Sequence, residues 1–275
     1  MRLATAVAVL AAVAAPGNAR AEFTNSFALS PSTTAAGANP DLNFSFAFPG
    51  APEVKSLAVT LPRGLNVGPR AISTPCPLAV AAAGACDPSS QIGTVSASAL
   101  GSVTAFGDLF MTAPPSPIDV AGIAITLRVD GDRGTVVAQG SLRLDNMRTN
   151  QPRQRIRFAK IPRVTSTGAA FALMELTMSM GGWPSASEYP LVTNPSSCPT
   201  SAYSATSTAK AYDNTSSRSS SAYPTTGCAD LQFSPTFDET FSDPIAGHST
   251  DATFTIGMPL GHSSVRHLSL KLAPF

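Results

Sequence analysis

The chain reads as all-β, an antiparallel β-sandwich of about a dozen strands with a partial second repeat at its C-terminus. Three observations carry that expectation. Short runs with period-2 apolar alternation recur along most of the 275 residues, Pro- and Gly-rich turns separate them, and one short stretch alone has helical character. Charged residues make up 13% of the chain against a usual quarter or so, which leaves Ser and Thr to supply much of the polar surface.

Residues 1–21 are expected to be a signal peptide rather than part of the fold. Arg2 precedes an apolar run from Leu3 to Ala15, and Ala19-Arg20-Ala21 has the form of an A-x-A cleavage site. The run is short for a membrane span, and no later stretch approaches 18 uninterrupted apolar residues, so no integral span is expected in the mature chain. The protein is therefore expected to be secreted, extracellular or associated with the cell surface.

Asn43 to Phe48 and Ser56 to Leu61 each alternate apolar and polar side chains, the pattern of half-buried strands. Pro77 to Ala83 is the one plausible helix, a turn or two of Leu and Ala. Gln91 to Ser98 and Ala105 to Thr112 resume the strand pattern. Val120 to Val129 and Thr135 to Leu144 form the clearest hairpin, because Asp130-Gly131 is a strong turn signal between β-rich arms. Arg155 to Ile161 and the apolar Ala169 to Met180 follow as strands. Tyr203 to Tyr212 and Ser216 to Tyr223 alternate weakly and read as two arms of one hairpin.

The final segment repeats the first. Ala36 to Pro49 returns without a gap as Ala246 to Pro259 with five of fourteen positions identical. With one inserted residue, Val54 to Pro62 matches Val265 to Pro274, pairing Leu57, Val59 and Leu61 with Leu268, Leu270 and Leu272. The organisation expected is a β-sandwich unit over residues 22–230 and the first two strands of a second, incomplete unit over 231–275. Those 45 residues are too few to bury a core of their own. Their strands are expected to pack on the counterpart strands near Asn43 to Leu61, or else to complete a sheet in a neighbouring molecule.

Cys76, Cys86, Cys198 and Cys228 are an even number in a chain expected to be exported, which favours disulfides. Three pairings exist. Cys76 with Cys86 and Cys198 with Cys228 is the expected one, because each pair brackets a single loop or hairpin. The spacings do not match a zinc site, and no metal or cofactor is expected.

Several signatures then occur in order: LPRGL at Leu61 to Leu65, Cys76-Pro77, Cys86 followed by SSQIGTVSA at Ser89 to Ala97, TNPSSC at Thr193 to Cys198, and GCADLQFSPTF at Gly227 to Phe237. Together they resemble a family of exported actinobacterial surface proteins in which a unit of about this length is strung in tandem. The resemblance implies an extracellular β-repeat protein, and it supplies no catalytic residue to carry over.

The chemistry-bearing residues give no enzyme signature. His248, His262 and His267 all fall in the last 28 residues, there is no G-x-S-x-G elbow and no H-E-x-x-H, so no catalytic residue is assigned. Asp130 and Asp132 read as a solvated turn, since the later ligands of a calcium loop are missing. Glu175, inside an apolar strand, is expected on the wet face or at an edge. Removing Arg2 and Arg20 from 18 basic residues leaves 16 against 17 acidic, a net charge of about −1 that gives no general attraction to nucleic acid. The function expected is structural or adhesive, without catalysis. The alternative is a module binding carbohydrate or an envelope polymer, for which Trp183 in its Gly181-Gly182-Trp183-Pro184 loop and Tyr189 are the candidate contacts. The partner is then an envelope polymer or another protein, and oligomeric state is left open.

Overall fold

Alternating side chains over strands of six to eleven residues give each strand one face that must leave water and one that can stay in it. In the computed structural model eleven such strands join edge to edge into one antiparallel sheet, which curls until its two ends nearly meet. The structure describes residues 23–50, 53–131, 133–145, 152–182, 184, 187–243, 245, 249–259 and 268–271. The expected leader at 1–21, Trp183, Asp132 and all three histidines lie outside the described residues.

In chain order the long strands are β1 (Ser26–Pro31), β2 (Leu42–Ala47) and β3 (Val54–Thr60), then after the two-residue β4 (Asn66–Val67) and the helix α1 (Leu78–Ala82), β5 (Gln91–Ala99) and β6 (Val103–Thr112). They continue with β7 (Ala121–Val129), β8 (Thr135–Asp145), β9 (Arg153–Phe158) and β10 (Leu173–Met180), the two-residue β11 (Val192–Thr193), then β12 (Tyr203–Ala211) and β13 (Ser216–Tyr223). A separate pair closes the chain, β14 (Thr236–Phe241) and β15 (Ala252–Gly257). The large sheet runs β1-β2-β10-β5-β6-β7-β8-β9-β3-β12-β13. Its fold is the all-β, sandwich-like architecture expected, in the form of a nearly closed barrel.

The inward face collects the apolar half of every alternation. Leu42, Phe44 and Phe46 from β2, Leu57 and Val59 from β3, Ile123 and Ile125 from β7, Leu142 from β8 and Phe158 from β9 are all buried in one continuous core. Phe27 stacks on Phe46 with centroids 5.1 Å apart, fixing the β1–β2 hairpin to the interior. Two glycines let strands approach where a side chain would not fit. A Cβ on Gly93 would sit 1.9 Å from the Ser179 carbonyl oxygen, and one on Gly107 would sit 1.8 Å from that of Thr126.

Closing the sheet removes the exposed edges that an open eleven-stranded sheet would present. The seam is made by β1 against β13: the Leu29 amide donates to Ser221 Oγ at 3.0 Å, and the segments after both strands exchange Ala36 N to Thr226 O at 2.8 Å and Thr226 N to Thr34 O at 2.9 Å. Beneath it Tyr223 is fully buried and donates its hydroxyl to Asn194 Oδ1 at 2.5 Å. Asn194 in turn donates through Nδ2 to the carbonyls of Thr33 at 3.0 Å and Ala35 at 2.8 Å, so one buried pair ties the strand that ends the barrel to the segment leaving its first strand.

Two corrections to the sequence reading concern the last segment. The stretch containing Leu268 and Leu270, expected as the second strand, is in no strand where it is described, and the second strand of the segment is β14, which precedes β15 and pairs with it. Nor does the hairpin pack on Asn43 to Leu61. Every residue of β14 is exposed, and β14 and β15 form a two-stranded sheet apart from the barrel. The physical reason is that the barrel has already used its edges: β2 is flanked by β1 and β10, and β3 by β9 and β12, leaving those counterpart strands no free side to offer.

Candidate functional site

Both expected disulfides are present, Cys76–Cys86 with Cα atoms 5.5 Å apart and Cys198–Cys228 with Cα atoms 5.8 Å apart. The first closes the loop that carries α1 against the outside of the barrel, where the Gln139 amide donates to the Leu78 carbonyl at 2.9 Å. The second brackets β12 and β13, the strands that complete the barrel. Two disulfides fit an oxidising compartment, and among the described residues no helix is long and apolar enough to cross a membrane.

Tyr189 and the other three tyrosines do not form one platform. Tyr189 is exposed, in a turn where Ser187 Oγ donates to the Tyr189 carbonyl at 2.8 Å, and it borders a groove of about 380 Å³ with Arg70, Val120, Leu144 and Gln154. Tyr203 and Tyr212 are half-buried, and Tyr223 belongs to the core. Burial raises the Tyr223 hydroxyl well above the ordinary tyrosine range, since a phenolate there has no water to solvate it. Gln154 in the Tyr189 groove is a structural residue: its Oε1 accepts from Val67 N at 2.6 Å, while its Nε2 donates to the Val67 carbonyl at 2.9 Å and to Asn66 Oδ1 at 3.0 Å.

The remaining candidates resolve into ordinary roles. Glu175 is on the wet face, where Ser98 Oγ donates to it at 3.1 Å. Asp130 accepts from Thr104 Oγ1 and ends the β7–β8 hairpin, with Gly131 and Gly134 taking the positive φ values the turn requires. Among the described residues no group of three or more His, Cys, Asp or Glu is placed to hold a metal ion.

The terminal hairpin is the feature that alternation alone did not reveal. Adding 210 to the bounds of β1 and β2 gives those of β14 and β15, so the two hairpins have equal strand lengths and equal ten-residue connections. They also share a register: Ser26 pairs with Ala47 and Pro31 with Leu42, as Thr236 pairs with Gly257 and Phe241 with Ala252. Even the connection is closed alike. The amide of Ser32 donates to the Asp41 carbonyl at 2.9 Å and that of Asp41 to Ser32 Oγ at 2.9 Å, and Ser242 and Asp251 make the same two bonds at 3.0 and 2.9 Å.

Position by position, the buried face of the first hairpin (Phe27, Leu29, Leu42, Phe44, Phe46) becomes Phe237, Glu239, Ala252, Phe254 and Ile256 in the second. Phe237 stacks on Phe254 at 6.0 Å, and yet Phe237 is 50% exposed, Phe241 49% and Ile256 37%. The opposite face holds Thr236, Asp238, Thr240, Thr253 and Thr255. An amphipathic two-stranded sheet with its apolar side in water lacks the barrel interior that buries the same face of β1 and β2 in the first copy, and the flanking strand that β10 gives β2. Comparison with protein-family models, with curated proteins and with solved structures finds no match.

Proposed function

We propose that this is an exported, cell-surface structural and adhesive β-repeat protein with no catalytic activity, and that β14–β15 opens a second repeat unit which docks on another copy of the chain. The observation that carries the reading is the exposed apolar face of a hairpin whose twin, in the same register, is buried. The resemblance to tandem-repeat surface proteins and the two disulfides point the same way. An apolar face of two six-residue strands spans roughly 20 Å by 10 Å, far below the ~800 Å² per partner of a stable interface. Each contact is therefore weak, and adhesion arises from many of them acting together.

The test is sedimentation velocity of residues 22–275 over a wide concentration range, beside Phe237→Ser with Ile256→Ser. The native chain is expected to associate reversibly at high concentration and the variant to stay monomeric with an unchanged melting temperature. Equal behaviour of the two, associated or not, would overturn the proposal.

A further inference from the structure

The near-neutral total charge conceals a segregation that appears only once the strands are placed in spatial order. Consecutive strands β8, β9, β3, β12 and β13 carry Arg143, Arg153, Arg155, Arg157, Lys210 and Arg218 on their outward face, against the single carboxylate Asp145. The outward face of the other six strands carries Asp108, Glu175 and Arg128. Cross-strand register sets four of these cations in two rows. One runs Arg143, Arg155, Thr60, Thr206, Ser220, and the next Ser141, Arg157, Ala58, Thr208, Arg218.

This arrangement costs the fold something. Arg143 stands directly opposite Arg155, a like-charge pair that destabilises a sheet. Asp145 relieves it by lying 3.1 Å from Arg143 Nε and 2.7 Å from Arg155 Nε. Among the described residues Arg157, Lys210 and Arg218 have no ion-pair partner. Between Arg157 and Arg218 lie three strand spacings, about 14 Å, floored by the small side chains of Ala58 and Thr208.

From this we infer that the β8-β9-β3-β12-β13 face binds an acidic polysaccharide bearing carboxylates, a uronate polymer in chemical class. Asp145 already sits between two arginines of this face, each facing one of its oxygens through Nε, and a guanidinium in general suits a carboxylate, which it can take in planar, paired hydrogen bonds. The Ser and Thr hydroxyls of both rows offer donors and acceptors to sugar hydroxyls. At one end the strip runs into a groove of about 680 Å³ lined by Gln139, Lys160, Arg163 and Tyr212, where Lys55 and Arg163 flank the Tyr212 ring at 5.9 and 4.8 Å. A single ring beside so many cations suits a sugar chain better than a nucleic acid, whose bases need a series of stacking platforms. The inference draws on no residue of the terminal hairpin, whose strands form a separate sheet.

Immobilised polygalacturonate is the probe, with neutral dextran and poly-deoxythymidine as comparators and residues 22–275 as the protein. Binding to polygalacturonate is expected, falling at least about tenfold as salt rises from ~20 mM to ~200 mM, with none to dextran and weaker binding to poly-deoxythymidine. Arg157→Gln with Arg218→Gln is expected to weaken it about five- to thirtyfold at low salt without moving the melting temperature, and Arg128→Gln, on the neighbouring β7 beside Thr135 at the start of β8, to leave it unchanged. No binding of polygalacturonate at low salt, equal binding of dextran, tighter binding of poly-deoxythymidine, or the same loss from Arg128→Gln as from the double variant would each overturn the assignment.

Discussion

Replacing Tyr223 by Phe removes one oxygen from the best-buried polar contact of the barrel seam. Asn194 Nδ2 is committed to the carbonyls of Thr33 and Ala35, so its Oδ1 has the Tyr223 hydroxyl as its donor, and the variant leaves that oxygen buried and unpaired. The cost of orphaning a buried acceptor is roughly 1–3 kcal/mol, or about 3 to 10 °C of melting temperature for a chain of this size. The pH dependence adds a signature that simple loss of packing lacks. The folded hydroxyl titrates above its unfolded value because of burial, so its contribution is fully present below about pH 10 and is lost as pH rises from there, at up to ~1.4 kcal/mol per unit. The Tyr223→Phe variant has no hydroxyl at this position to titrate. Urea unfolding of native and variant proteins at a series of pH values should therefore show the native advantage shrinking above about pH 10. A gap that stayed constant from about pH 8 to 11 would refute the reasoning, because Tyr223 would then be ionising as freely in the folded state as in the unfolded one.

Three further outcomes are expected. Cys198→Ser opens a loop whose ends are 30 residues apart, a loss of roughly 3.7 kcal/mol in the chain-entropy model, and native-state proteolysis should cut first between residues 199 and 227; cuts appearing first in Val103 to Asp145 would count against it. Gln154→Ala leaves the Val67 amide and carbonyl without their side-chain partner and should lower stability by about 2–3 kcal/mol in urea unfolding, whereas a loss under about 0.5 kcal/mol would mean the contacts carry little. Glu239→Leu restores the apolar residue found at Leu29 and should strengthen self-association in sedimentation, while unchanged association would place the contact elsewhere.

What the sequence disclosed and withheld follows the range of the interactions. Alternation marked β2, β3, β5 to β10, β12 and β13, because a strand with one face in the core writes that face every second residue. β1 escaped notice since only Phe27 and Leu29 point inward before Pro31 ends it. The local disulfide pairing was legible from spacing. Strand order was not: β10 inserts between β2 and β5, and β3 between β9 and β12, through pairings between residues about 80 to 150 apart that no local pattern encodes. The basic face depends wholly on that order, so a net charge near zero concealed it. The terminal repeat could be read from identities at a fixed offset, but the same offset also maps Ser26–Pro31 onto β14, which alternation in TFDETF obscures by placing Glu239 between Phe237 and Phe241 on one face.

The central claim is that one hairpin occurs twice, once sealed into the barrel and once left open for a second copy of the chain. Amide hydrogen exchange of residues 22–275 at low and at high protein concentration addresses it directly. β1–β2 should exchange only through global unfolding at either concentration, while β14–β15 should exchange quickly when dilute and gain protection as concentration rises. Equal protection of both hairpins in dilute solution, or a β14–β15 pair that stays unprotected at every concentration, would contradict it.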